Sequence, residues 1–243
     1  MILSGLITAA YMLVFKQRAT YGRYGKDAIL NWLAVPARLA WFIQEAPSLL
    51  IPLLVLLFDP VVKTNYVNLS IILMFAGHYF HRTMIYPFLI KGGKPTPFHL
   101  MFLGIVFCIW NGYIQGFYHT LYADYPSGYM TRFTSILGIL LFFIGMFINC
   151  HSDHILRNLR KPGETGYKIP KGGMFEYVSG ANFLGEIIEW FGYALYAQTW
   201  PAVAFAVFTI SNIGPRALHH HQWYLQKFDD YPKTRRALIP FLL

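Results

Sequence analysis

Between Phe133 and Cys150 the chain reads FTSILGILLFFIGMFINC, a run without one charged residue. As a helix a run of this length rises roughly 27 Å, close to the ~30 Å hydrocarbon thickness of a bilayer. Immediately after it comes HSDHILRNLRKPGETGYKIPKGG, dense in His, Asp, Asn, Arg and Lys. A soluble core has no use for the first stretch, and a lipid-facing helix has none for the second. Together they predict a membrane helix whose end emerges at a polar site.

The rest of the sequence repeats that pattern. Apolar segments fall at 1–15, 36–58, 66–90, 98–122, 133–151, 175–199 and 200–223, the last two parted only by Trp200-Pro201. The 243 residues are 56% hydrophobic and 13% charged, with a mean hydropathy of +0.40. That composition excludes an ordinary soluble domain. The expectation is an all-α polytopic protein, a single integral-membrane domain over 1–243, with seven transmembrane helices around a cavity open to the cytosol. The apolar N-terminus lacks a basic leader and a small-residue cleavage site, and is read as a retained helix. Cys108 and Cys150 both sit in apolar runs, which suggests neither a disulfide framework nor a metal site.

The net charge of +9 would point to nucleic acid in a soluble protein; here its distribution gives another meaning. Alternate connections carry Lys16, Arg18, Arg23 and Lys26, then Lys91 and Lys94, then Arg157, Arg160, Lys161, Lys168 and Lys171; the tail adds Lys227, Lys233, Arg235 and Arg236. The opposite connections hold only Lys63 and Arg132. Positive loops stay in the cytosol, so the C-terminus is expected there and the N-terminus across the membrane. The expected partners are a lipid bilayer and a hydrophobic small molecule, without nucleic acid, and the protein is expected to be monomeric.

Polar groups recur inside the apolar segments at helical spacing. Trp41, Gln44 and Glu45 share one face; so do Tyr79, Arg82 and Tyr86, next to His78; so do Asn182, Glu186, Glu189 and Trp190; and Arg216, His220 and Tyr224 step by four. Asn149, Asp153, Arg157 and Arg160 continue the habit past the fifth segment. Charged groups at bilayer depth cost about 2.5–3.5 kcal/mol each, so they mark a site or pair as interhelical glue. Four stripes favour one polar chamber.

Its chemistry narrows by exclusion. His78 with His81, His151 with His154, and His219 to His221 invite a di-iron centre, but neither HxxH has a second adjacent histidine. No metal is expected. There is no G-x-S-x-G and no G-x-G-x-x-G, and the pairs Gly92-Gly93 and Gly172-Gly173 lack a strand–turn–helix setting. Asn68-Leu69-Ser70 matches a glycosylation sequon by chance. What is left is a basic, hydrogen-bonding mouth suited to phosphates, over an apolar interior suited to a lipid-soluble substrate.

The segments NCHSDHILRNLRKPGETGYKIPKGGMFEYVSGANFLGEIIEWFGYAL, VPARLAWFIQEAPS, HYFHRTMIYPFL and HHHQWYLQKFDDYPKTRRALIPF resemble the steroid 5α-reductases (3-oxo-5α-steroid 4-dehydrogenases), nearest the type 1 and type 2 enzymes. The likeness runs along nearly the whole chain and is weakest in the first thirty residues. It implies seven spans and NADPH-dependent reduction of the C4–C5 double bond of a 3-oxo-Δ4 steroid. It implies cofactor positions at Asn149, Asp153, Arg160, Tyr167, Asn182, His220 and Tyr224, with Arg82 and Lys94; the stripes add Trp41 and Arg216. Lys94 stands where relatives can carry Arg. Gln44, Glu45 and Tyr79 match positions that address the 3-oxo group, and Trp190 and Glu186 match residues near steroid and nicotinamide. A protonated Glu45 and the Tyr79 phenol would then stabilise enolate charge as hydride reaches C5. The host membrane would be endoplasmic reticulum in a eukaryote or inner membrane in a bacterium. Two other readings stay open: a membrane reductase of another sterol or enoyl-lipid double bond, and a lipid-binding or transport protein without turnover.

Overall fold

The long apolar runs become helices. A computed structural model describes residues 1–15, 33–58, 65–161, 164 and 166–243. Lys16, Arg18, Arg23, Lys26 and Lys63 of the charge argument lie outside the described residues. The order is α1 (Ile2–Val14), β1 (Ala34–Val35), α2 (Ala37–Phe58), α3 (Tyr66–Phe80), α4 (Tyr86–Leu89), β2 (Thr96–Pro97), α5 (Phe98–Phe117), α6 (Phe133–Arg157), α7 (Ala181–Ala197) and α8 (Trp200–Lys227). Each expected apolar segment carries a helix. Three are long and apolar enough to cross a bilayer: Ala37–Phe58, Phe98–Tyr122 and Phe133–Arg157, of mean hydropathy 1.8, 1.5 and 2.2. Most of their surface is turned away from protein, with side chains such as Leu57, Phe102 and Phe147 exposed. That suits hydrocarbon surroundings and not water.

Two boundaries differ from the sequence reading. α6 runs on to Arg157 rather than ending near 151, because HSDHILR contains neither Gly nor Pro to break it, and this keeps Asn149 and Asp153 on one helical face. α7 begins at Ala181 rather than 175: Gly172 and Gly173 take positive φ (93° and 53°), and a short 3₁₀ turn, Gly173–Glu176, intervenes. The two-residue antiparallel ribbon β1–β2 (Ala34↔Pro97, Val35↔Thr96) is a small addition to the all-α expectation.

The chain divides into two compact units. One comprises Ala19–Ser135 and the other Met1–Arg18 with Ile136–Leu243. In the first, α2 and α5 lie against each other at glycines. A Cβ on Gly112 would stand 2.9 Å from the Pro47 carbonyl oxygen, and one on Gly116 would stand 2.9 Å from Pro52 Cα. The two prolines inside α2 are thus met by residues small enough to pack on a proline-disturbed backbone. Asn65 caps α3, accepting from the Val67 N–H at 2.9 Å. Past α3 the helix widens into a π-helical turn, His81–Ile85, before Pro87 and α4. Such turns concentrate at functional sites. Asn68, of the sequon, is 1% exposed and donates to the carbonyls of His119 and Ala123.

The second unit rests on a reciprocal glycine contact. Gly138 and Gly145 of α6 are seven apart, as are Gly185 and Gly192 of α7. Run antiparallel, they meet as two pairs: a Cβ on Gly192 would lie 2.7 Å from the Gly138 carbonyl, and one on Gly185 would lie 2.8 Å from the Gly145 carbonyl. The heptad spacing keeps both pairs on one seam. Phe142, Trp190, Tyr193 and Phe205 pack beside it, with Trp190 and Phe205 rings 4.3 Å apart. Phe175, Val178, Ala181, Leu184, Ala217 and Leu238 form a second cluster that fastens the tail. There Ser179 and Gly180 donate to the carbonyls of Arg236 and Ala237, and the buried Arg235 guanidinium donates to the Pro170 carbonyl at 2.8 Å.

Candidate active site

In the first unit, three helices bring their polar groups together. α2 supplies Gln44, Glu45 and Ser48, α3 supplies Tyr79, and α5 supplies Cys108 and Asn111. The Gln44 amide donates to Glu45 Oε1 at 3.0 Å, and the Cys108 thiol faces Glu45 Oε2 at 3.8 Å. Asn111 Nδ2 donates to the Tyr79 hydroxyl at 3.2 Å, and Gln115 Nε2 donates to Asn111 Oδ1 at 3.4 Å. Ser48 Oγ donates to the Cys108 carbonyl at 3.0 Å, and its side chain also hydrogen-bonds the Tyr79 hydroxyl. Glu45 lies within electrostatic reach of Tyr79 and Cys108. Tyr79 is buried, its ring against Phe75 and His78; Gln44 and Glu45 are half-buried. The carboxyl group and the phenol are thus each backed by neutral partners, Gln44 and Cys108 on Glu45 and Asn111 on Tyr79.

Next to this cluster the Arg82 guanidinium lies against two aromatic rings that meet each other edge-on, 4.5 Å from Trp41 and 4.3 Å from Tyr86. Two cation–π contacts offset part of the cost of burying the charge. Arg38 donates twice to the Ile90 carbonyl, at 3.1 and 2.7 Å, tying α2 to the segment that leads to Lys94, which is exposed.

In the second unit, Asn149 and Asp153 are buried one turn apart on α6, and Asn149 Nδ2 donates to the Asn182 carbonyl at 2.9 Å. Asn182 and Glu186 follow on α7, half-buried. α8 carries Arg216 and His220, half-buried, and Tyr224, buried. The His220 ring meets Phe183 at 5.4 Å, and Tyr224 stacks on Tyr231 at 5.2 Å with the rings 9° from parallel. Arg160 is exposed and donates weakly to the Gly166 carbonyl at 3.4 Å; Tyr167 packs edge-on against Trp223. Trp190 is 1% exposed within the aromatic core. Arg157 Nη1 is buried and makes no hydrogen bond, an orphaned guanidinium N–H of the kind an anionic group satisfies. Nearby, the Gly172 N–H, aided by Arg235 and Lys171 and opposed by slight burial, holds the Glu176 carboxyl below its ordinary range.

His151 stacks on Phe147, and His154 meets the Asn158 side chain.

Comparison with known proteins decides the lineage. The family model described as 3-oxo-5-alpha-steroid 4-dehydrogenase matches residues 94–243. The pig protein named 3-oxo-5-alpha-steroid 4-dehydrogenase 2 is 48% identical over 99% of this chain and 96% of its own length. The chain belongs to the 3-oxo-5-alpha-steroid 4-dehydrogenase family. The mouse protein of that name numbered 1 is 50% identical over 93% of the chain and 88% of its own length, and the human type 2 protein 48% over 96% and 91%. Gln44, Glu45, Tyr79 and Arg82 precede the matched portion of the family model, but the pig alignment covers nearly the whole chain.

Sequence reasoning missed Ser48, Cys108, Asn111 and Gln115. A signal existed: Asn111, Gln115 and His119 step by four through an otherwise apolar segment, with Cys108 one turn earlier.

Proposed function

We propose that this chain reduces the C4–C5 double bond of 3-oxo-Δ4 steroids, using NADPH, as a seven-span membrane enzyme with its C-terminus in the cytosol. The observation that carries this is the grouping of Glu45 and Tyr79, each backed by a buried partner on α5, in a member of this family. NADPH, when bound, would supply a hydride for C5. Electron density then moves onto the 3-oxo oxygen, and the Glu45 carboxyl and the Tyr79 phenol donate hydrogen bonds to it. Preorganised donors of this kind stabilise the enolate-like transition state more than the ground state. A proton added at C4 completes the reduction.

The polar set of the second unit fits the cofactor. Arg157, with its unsatisfied Nη1, and Arg160 suit phosphate oxygens; Asn149, Asp153, Asn182 and His220 suit amide and ribose groups; Tyr167 and Tyr224 offer ring faces. Arg82, Lys94, Trp41, Glu186 and Arg216 belong to the same proposal. Apolar helices suit a substrate arriving from the bilayer. The positive charge between Arg157 and Lys171 supports a cytosolic mouth, where NADPH is available.

The test is purified protein in detergent or nanodiscs, NADPH, and a panel of 3-oxo-Δ4 steroids. Expected are enone-dependent NADPH oxidation and a product heavier by two hydrogens with 5α stereochemistry. Oxidation only with other conjugated lipids would redirect the proposal to a related reductase. None with any enone would leave a binding protein.

A further inference from the structure

α5 carries a directional ladder of buried amides that ends on the proposed phenol donor. Gln115 Nε2 donates to Asn111 Oδ1, and Asn111 Nδ2 donates to Tyr79 Oη. Asn111 is 0% exposed and Gln115 1%, so neither side chain has room to swing into solvent. In this arrangement the Asn111 amide turns its oxygen to Gln115 and its nitrogen to Tyr79. An amide N–H directed into the phenol oxygen turns the phenol's own proton away from Asn111. The Ser48 hydroxyl donates to the Cys108 carbonyl and also hydrogen-bonds the Tyr79 hydroxyl. The donor sense therefore runs one way: Gln115, Asn111, Tyr79.

We infer that Asn111 is a positioning residue for the reduction, setting Tyr79 as a hydrogen-bond donor to the steroid 3-oxo group. The inference rests on the proposed steroid reduction. When the 3-oxo oxygen arrives it accepts a hydrogen bond from the Tyr79 phenol. Asn111 continues to donate into the phenol from behind, and each bond in such a chain polarises the next, by about 10–30%. The purpose is directional: were Asn111 an acceptor, the same phenol would spend its proton on the protein. Gly112 serves this arrangement as well, because its missing Cβ lets α5 approach α2 at Pro47 and Ser48.

A double-mutant cycle in the full-length protein tests it. Wild-type turnover of a 3-oxo-Δ4 steroid with NADPH is measured first; if there is none, the proposed function fails and this inference falls with it. Given turnover, Asn111→Leu should lower kcat about tenfold or more, less than the ~10²–10³ expected when a transition-state donor itself is lost. The KM for NADPH should hold within about twofold, as for an interaction made only in the transition state. In a Tyr79→Phe background, Asn111→Leu should cost almost nothing further, since the group it acts through is gone. Gln115→Leu should give a smaller loss that also vanishes with Tyr79→Phe, and it replaces Asn111→Leu should that variant fail to fold. Equal fold losses in both backgrounds, or an unchanged kcat in folded, NADPH-binding variants, would overturn the assignment while leaving steroid reduction standing.

Discussion

Gly145→Ala isolates the seam between α6 and α7. A Cβ at that position would stand 2.2 Å from the Glu189 backbone nitrogen and 2.6 Å from its Cα and the Gly185 carbonyl oxygen. These are backbone atoms, so no rotamer change relieves the overlap. Ordinary contact at 3.4 Å requires the helices to part by roughly 1 Å at that point. Overpacking of this kind costs about 1–3 kcal/mol. Parting the helices also stretches the 2.9 Å bond from Asn149 Nδ2 to the Asn182 carbonyl, which adds about 0.5–1.5 kcal/mol. Thermal unfolding of the purified protein in detergent is the assay, at roughly 2–4 °C per kcal/mol for a chain of this size. A fall of several degrees is expected, with NADPH giving less thermal protection because Asn149 has moved. Gly77→Ala is the control: on α3 its Cβ meets nothing within 4 Å, and alanine favours the helix by up to about 1 kcal/mol. If Gly145→Ala melts at or above Gly77→Ala, the close-approach argument is wrong.

Glu45→Leu should lose about 10²–10³ in kcat while Glu45→Gln, which keeps a donor, retains more; equal activity of the two variants would remove the donor role. Arg160→Ala should raise the KM for NADPH with little effect on NADH, since the 2′-phosphate is the charged difference; equal rises for both would place Arg160 elsewhere on the cofactor. Glu176 has a depressed pKa in the folded protein, so its stabilising contribution is present above the unfolded carboxylate value of ~4.3 and is lost as pH falls through the folded value. Melting temperature against pH should therefore fall less steeply on the acid side for Glu176→Gln than for wild type; parallel curves would show that the Gly172 and Arg235 contacts contribute nothing.

The helices were legible because their signal is long. A run such as Phe133–Cys150 has few alternatives, and the segments at 36–58 and 98–122 match helices almost residue for residue. The boundaries at Arg157 and Ala181 were less legible. HSDHILR is polar yet helical, and α7 starts late because the N–H groups of Ser179 and Gly180 are committed to the tail carbonyls of Arg236 and Ala237. The glycine seam was written in the sequence as two seven-residue spacings. Hydropathy weighs what side chains contribute, and these positions act by lacking one.

The site divides along a similar line. Ionisable groups at helical spacing announce themselves in an apolar segment, as Glu45, Tyr79, Arg82, Asp153 and Arg216 do. Neutral amides and a thiol do not. Asn111 and Gln115 carry no charge to justify, and Cys108 looks like any small hydrophobe, yet one turn of α5 places Cys108 behind Glu45 and Asn111 behind Tyr79. A donor that must aim at developing charge needs neighbours that fix its proton without adding charge of their own. Neutral, buried, hydrogen-bonded residues meet that need, and they are the ones a search for buried charge passes over.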